Sequence, residues 1–322
     1  MRRIVRPGGI IGFAVVALAA TACSSGDTTA DSAAAADSAA EAAPAMFASA
    51  GATDSMQTPE SVRYDADLDA FFVSNINGNP SQKDGNGFIA RVDAANTSSM
   101  TKFIEGGKNR VTLHAPKGMA IVGDTLWVTD IDAVRAFNKR TGAPIASVDL
   151  RSRGAVFLND IAVGPDGALY VTDTGLSFDA AGAMTHPGPN QIFKVSGRTG
   201  TIAIRSDSLL PAPNGITWDA ANARFIVVMF NDSALVAWKD GDSTVTRVAM
   251  GPGGHDGVEM LADGRILVTS WSDSAVHAIS NGTATKVIAN VEGPADLGVD
   301  TKRNVVAVPR FTAGRVEYFS VR

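Results

Sequence analysis

LNDIAVGPDGALYVT, residues 158–172, carries the pattern on which the fold turns. Leu158-Asn159-Asp160-Ile161 is a small turn running into an apolar strand. Gly164-Pro165-Asp166-Gly167 is a second turn, and residues 168–172 form a second strand. An Asp-Gly pair between apolar runs is a hairpin signal, because both residues tolerate positive φ and the turn matches the twist of the strands it joins. The same grammar returns at Ala262-Asp263-Gly264, followed by the apolar run 265–270.

Outward from this stretch the opening turn recurs. It stands at Pro59-Glu60-Ser61-Val62, Pro116-Lys117-Gly118-Met119, Leu158-Asn159-Asp160-Ile161, Pro213-Asn214-Gly215-Ile216, His255-Asp256-Gly257-Val258 and Pro294-Ala295-Asp296-Leu297. Second positions are separated by 57, 42, 55, 42 and 39 residues. A period of about 40–55 residues holding several strands reads as propeller blades. Third strands follow, as at 87–92 and 191–195, and a fourth is visible in some units, as at 101–104. The expected fold is all-β: a six-bladed β-propeller of four-stranded antiparallel blades around a central channel. The last unit offers only 297–299, 305–308 and 316–319 before the chain stops. Residues around Phe47–Gln57 are therefore expected to supply its fourth strand and remove a sheet edge. The two long spacings contain insertions at Asn75–Asn86 and Gly175–Asn190, and long loops in a compact β fold are often functional.

Residues 1–22 read as a signal peptide: Arg2, Arg3 and Arg6, then a short apolar run over Ile10–Ala20, then the small residues Ala20-Thr21-Ala22. Cys23 follows and is the single cysteine. A lone cysteine at that point resembles the lipid-attachment residue of a bacterial lipoprotein, although Ala20 stands where Leu is more frequent. Residues 23–56 are read as an anchor and an Ala/Ser/Asp-rich tether with too little apolar surface to offset ordering, and residues 57–322 as the propeller. The expected location is the cell envelope, held to a membrane by the anchor alone, or otherwise outside the cell. Without residues 1–22 the chain keeps 25 basic and 33 acidic side chains, a net charge of −8. With no basic patch and no nucleic-acid motif, no nucleic-acid partner is expected.

Several catalytic patterns fail. Asp65-Ala66-Asp67-Leu68-Asp69 begins like a calcium loop but has Ala70 and Ile76 where Gly and Glu are required. Gly107-Lys108 has Lys102 and Asn109 at the phosphate-loop positions that need Gly and Ser/Thr. His114, His186, His255 and His277 show no metal-ligand spacing, and there is no Gly-x-Ser-x-Gly elbow. The positive signal is the ring. In a propeller, equivalent positions converge on the axis, so Glu60, Lys117, Asn159, Asn214, Asp256 and Ala295 should meet at one mouth. Carboxylates with amide oxygens are hard ligands that suit one divalent cation, calcium first, with magnesium, manganese or zinc as alternatives. Such a cation would also neutralise two crowded acids.

The turns at Pro59-Glu60, Asn159-Asp160, Pro213-Asn214-Gly215 and Asp256-Gly257 resemble, in order, the signature turns of the SMP-30/gluconolactonase family, over roughly residues 57–322. The resemblance implies Glu60, Asn214 and Asp256 as metal ligands and Asn159 as a contact to substrate or to the metal's shell. It also implies hydrolysis of a sugar lactone or related ester, with Asp256 as ligand and general base. His255, adjacent in sequence, is a second candidate for acting on water. Lys117 departs from the family pattern and is a candidate for pairing with Glu60, for meeting an anionic substrate, or for repelling a metal. The family's substrate-binding arginine has no clear counterpart; Arg110, Arg151 and Arg153 are near the turns. The competing reading is a non-catalytic, envelope-anchored binding propeller similar to NHL-type proteins, since one scaffold serves many functions.

The anchor is tested directly. Cells expressing the full chain should incorporate labelled palmitate into it, and Cys23→Ser should abolish the label; labelling that survives the substitution excludes Cys23 as the attachment point.

Overall fold

The structure is a computed structural model and describes residues 46–322. The signal peptide, Cys23 and most of the expected tether lie outside the described residues.

Six four-stranded antiparallel sheets form the ring, with one additional two-stranded hairpin. The first blade is Pro59–Asp65, Ala70–Asn75, Phe88–Asp93 and Asn96–Glu105, paired in chain order. Blades two to five repeat this order over residues 116–149, 158–205, 213–250 and 255–289. The sixth runs Gly298–Asp300, Val305–Arg310 and Arg315–Val321, and its outermost strand is Phe47–Thr53 from the other end of the chain. The missing strand is therefore supplied as the sequence requires, with Phe47 opposite Val321 and Thr53 opposite Val316. Residues 47–53, placed in the tether by composition, belong to the propeller.

First strands of neighbouring blades touch from the first blade to the fifth, and the first strand of the sixth returns to that of the first. Backbone pairing joins the sixth blade to the first: Ser61 bridges Asp296, and the Asp296 backbone N–H donates to Glu60 O at 2.8 Å. Apolar faces are buried between successive blades. Between the third and fourth, Tyr170 meets Phe225 and Trp238, with ring centroids 4.4 and 6.0 Å apart. Such aromatic pairs add stabilisation beyond the area they bury.

One local device repeats. In blades one to five, the register of the innermost strand slips at its start: Pro59/Ser61, Pro116/Met119, Leu158/Ile161, Pro213/Ile216 and His255/Val258. A bulge re-aims a side chain and leaves backbone groups unpaired. Hydroxyls from the second strand answer those groups. Asp160 N–H donates to Thr172 Oγ1 at 2.9 Å, Gly257 N–H to Thr269 Oγ1 at 2.7 Å and Ser61 N–H to Ser74 Oγ at 2.9 Å. Two threonines also reach the next blade, Thr129 Oγ1 donating to Asn159 O at 2.5 Å and Thr172 Oγ1 to Asn214 O at 2.6 Å. The blades approach so closely here that a Cβ on Gly215 would lie 2.5 Å from Asp256 O, and one on Gly257 2.5 Å from Asp296 Cα.

The closing strand should carry measurable stability. Phe47 is buried in the cluster containing Leu267, Leu297 and Val306. Phe47→Ala should cost about 3 kcal/mol, a loss of roughly 6–12 °C in Tm for a domain of this size. An unchanged melting curve would show that the ring does not depend on its N-terminal strand.

Candidate functional site

The bulges carry the site. Glu60, Lys117, Asn159, Asn214 and Asp256 each lie within one of the five register slips, and all five line a single cavity of about 450 Å³. The convergence expected from the repeats is thus present for these five. Ala295, at the sixth position, is buried and contributes no polar group.

Four of the five side chains are held by hydrogen bonds. Trp271 Nε1 donates to Asp256 Oδ2 at 2.8 Å, which leaves Oδ1 buried without a hydrogen-bond partner. Glu60 Oε2 is buried and unpartnered as well. Asn159 Nδ2 donates to Thr174 Oγ1 at 3.0 Å, and that hydroxyl is itself committed to Pro213 O. Asn214 Nδ2 donates to His255 O at 3.4 Å. Each amide nitrogen spends one of its two hydrogens in this way, and both amide oxygens are left without a protein partner. Four oxygen acceptors therefore converge with few donors to meet them. Among the described residues no group of three His, Cys, Asp or Glu side chains is poised around one point; this set relies on amides beside two carboxylates.

Charge inside the channel is unbalanced. Asp160 and Asp296 are buried just beyond the mouth and share Arg63, at 3.2 and 3.0 Å. Glu259 lies 3.5 Å from the same guanidinium, beside a second, polar cavity. Five carboxyls thus face two cations, Arg63 and Lys117. Burial, then the neighbouring Asp256 charge, holds the Glu60 carboxyl well above the usual range. Burial, then Asp296, pushes Asp256 up to about 8. Asp160 and Asp296 are raised too, by burial first. Unpartnered, desolvated carboxylates of this kind accept either protons or a cation.

Lys117 does not form an ion pair with Glu60. Its Nζ donates to Pro80 O at 3.1 Å and Ala115 O at 3.2 Å and sits 4.1 Å from the centroid of Phe157. Burial pulls it down to about 8. One ammonium hydrogen remains for a ligand.

His255 is placed differently from the sequence expectation. It is fully buried, does not line the cavity, and its Nε2 accepts from Gly253 N–H at 3.3 Å. Neighbouring residues on a strand face opposite ways, so aiming Asp256 at the mouth turns His255 into the blade. Burial, then the nearby His277, pulls it down to about 4, the state of a packed neutral ring. Arg110, Arg151 and Arg153 do not line the cavity either, and Arg151 pairs with Asp149.

Both insertions do reach the site. The first contributes Ile76, Gly78 and Pro80 to the cavity, and the second Leu176, Phe178 and Met184. The second forms the small hairpin Ser177–Phe178 with Met184–Thr185. The two are clasped together by Phe178 N–H donating to Ser81 Oγ at 3.0 Å and Asn79 Nδ2 to Asp179 O at 2.6 Å. Sequence reading missed Trp271, Arg63 and the second-strand hydroxyls. The motifs Val128-Thr129-Asp130 and Val171-Thr172-Asp173 were the available signal. In each, Asp closes the loop ahead of the bulge: Asp130 Oδ1 accepts from Ala115 N–H, and Asp173 Oδ1 from Phe157 N–H.

Comparison with known proteins agrees with this architecture. No curated protein matches the chain by sequence. A solved structure of a candidate gluconolactonase superposes with a TM-score of 0.64 at 14% identity, over 87% of this chain and 93% of that one. A chain from a nidogen/laminin complex superposes with a TM-score of 0.55 at 18% identity, over 73% of this chain and 81% of that one. At these identities the likeness is one of fold. The family described as the SMP-30/gluconolactonase/LRE-like region matches residues 58–299, three-quarters of the chain. The chain therefore belongs to the SMP-30/gluconolactonase/LRE-like family.

Proposed function

We propose that the protein is a divalent-cation-dependent hydrolase that opens a lactone or related ester at the mouth of the propeller channel. The observation that carries this reading is the pair of buried, unpartnered oxygens Glu60 Oε2 and Asp256 Oδ1, set beside the free amide oxygens of Asn159 and Asn214. Calcium accepts six to eight oxygen ligands and tolerates irregular geometry. Four protein oxygens would leave room in its shell for water and substrate. Glu60, Asn214 and Asp256 would hold the ion, with Asn159 at its edge. When bound, the cation supplies Lewis-acid polarisation of the ester carbonyl.

The chain's own groups account for the rest. Trp271 holds Oδ2 of the Asp256 carboxyl and leaves Oδ1 without a partner. Asp256 takes a proton from the attacking water, a role worth about 10²–10⁴-fold when a base is well positioned. The water oxygen bonds to the carbonyl carbon, the acyl C–O bond breaks, and the departing oxygen receives the proton. The product is a hydroxy acid. The remaining N–H of Lys117 is available to the carboxylate that forms. His255 has no part in this scheme. A non-catalytic binding propeller would use the same cavity, and no arginine lines it to hold a substrate; turnover separates the two readings.

Two outcomes are expected. First, Asp256 has a folded-state pKa of about 8, above the ordinary carboxyl value of about 4, and Glu60 is raised in the same direction. The folded state then holds protons that the unfolded chain releases, so this stability is complete below about pH 4 and lost as pH rises through 8. In EDTA, Tm should fall between pH 5 and pH 8.5, and calcium should remove the fall by occupying the deprotonated pair. A flat profile, indifferent to both reagents, would sink the metal site. Second, Asp256→Asn should lower kcat/KM for lactones by about 10²–10⁴-fold, and Glu60→Gln should weaken calcium binding in calorimetry. Full activity in both variants would reject the assignment.

A further inference from the structure

The floor of the cavity is polar, but its wall is not. Above the ring of oxygens stand Ile76, Leu176, Phe178, Phe230, Trp271 and Phe311. The aromatic members form a continuous face: Trp271 lies 6.0 Å from Phe230 and 5.5 Å from Phe311, centroid to centroid, both edge-on. Phe178 meets Phe157 at 5.8 Å on the opposite side. Met184, half exposed at the lip, extends the surface outward.

The polar groups of the cavity are gathered at its floor. Ile76, Leu176, Phe178, Phe230 and Phe311 bring no polar side-chain atom to the wall, and Trp271 Nε1 is committed to Asp256. Two of the three Lys117 hydrogens are committed to backbone carbonyls. A polyhydroxylated ring could pair the hydroxyls that reach the floor, but those turned to the phenyl and indole faces would be buried without partners, and an unpaired buried polar group is costly.

We infer that the ligand of this mouth is a lactone or ester bearing an apolar substituent, an alkyl chain or an aryl group, rather than a polyhydroxylated sugar lactone. This rests on the hydrolase reading for turnover, while the preference for an apolar tail rests on the wall alone. The carbonyl end meets the oxygens and Lys117. The tail lies along Trp271, Phe230 and Phe311 under the hairpin carrying Phe178. The two insertions of the fold thus serve selection: they raise the apolar wall on one side of the mouth and clasp each other to hold it.

The test compares the full-length protein with calcium on δ-valerolactone, δ-decalactone and D-glucono-δ-lactone. Relative to the unsubstituted ring, kcat/KM should rise about fourfold per methylene that reaches the wall, and the sugar lactone should be at least tenfold poorer than δ-decalactone. In Phe178→Ala and Phe311→Ala the ratio between δ-decalactone and δ-valerolactone should collapse toward one. A parallel calorimetric titration uses the matching lactams, piperidin-2-one with and without a pentyl chain, which resist hydrolysis. Tighter binding of the pentyl lactam supports the inference even if no lactone turns over, in which case the hydrolase reading alone fails. Sugar lactone turned over as well as δ-decalactone, or equal binding of the two lactams, overturns it.

Discussion

Everything at the mouth depends on the break in pairing at the start of each innermost strand. A regular strand would direct alternate residues into the neighbouring blades, and the axis would be lined by whatever that alternation left over. The slip at Pro59/Ser61, and its counterparts in the next four blades, turns one side chain per blade toward the axis instead. The cost is backbone left unpaired, and the second-strand hydroxyls meet it. Because Thr129 and Thr172 also reach the following blade, the group that repairs one bulge helps to fix the spacing to the next. Site geometry and ring closure are therefore the same set of hydrogen bonds.

The electrostatics follow from that geometry. Side chains forced onto one axis cannot be solvated separately, so acids accumulate in a narrow, dry space. Arg63 compensates Asp160 and Asp296 deeper in the channel, and the carbonyl-held Lys117 sits at the wall of the mouth rather than in an ion pair. What remains uncompensated is concentrated at Glu60 and Asp256. Removing Arg63 would spread that deficit along the whole channel, which is why a residue with no exposure to the cavity belongs to the same electrostatic unit.

Much of this was legible in the chain. The six turns, their order and the deficit of one strand at the C-terminal end are properties of spacing, and a closed ring converts spacing into position. Glu60, Lys117, Asn159, Asn214 and Asp256 could be named for that reason. The orientation of a neighbour could not, and His255 was misplaced because the bulge confines the aim to one residue while the next returns to the blade. Trp271 was hidden because it lies at the end of another strand, sixteen positions of turn and hairpin after the His255 that begins its blade, and nothing in its surroundings marks it as polar. Arg63 carried a visible signal, a positive charge in the middle of an inner strand, whose meaning required knowing what faced it. The apolar wall was unreadable since its members come from three blades and two insertions.

The strand Phe47–Thr53 sets the order of events in folding. It pairs with Arg315–Val321, so the contact that shuts the ring joins the two extremes of the described chain. Loop-closure entropy must be met before such a contact gives anything back, and pairings this distant slow folding. Until that pairing forms, the sixth blade keeps an unpaired edge. The bridge from Ser61 to Asp296 joins the first and sixth blades at a second place, so closing the ring draws on both ends of the described chain.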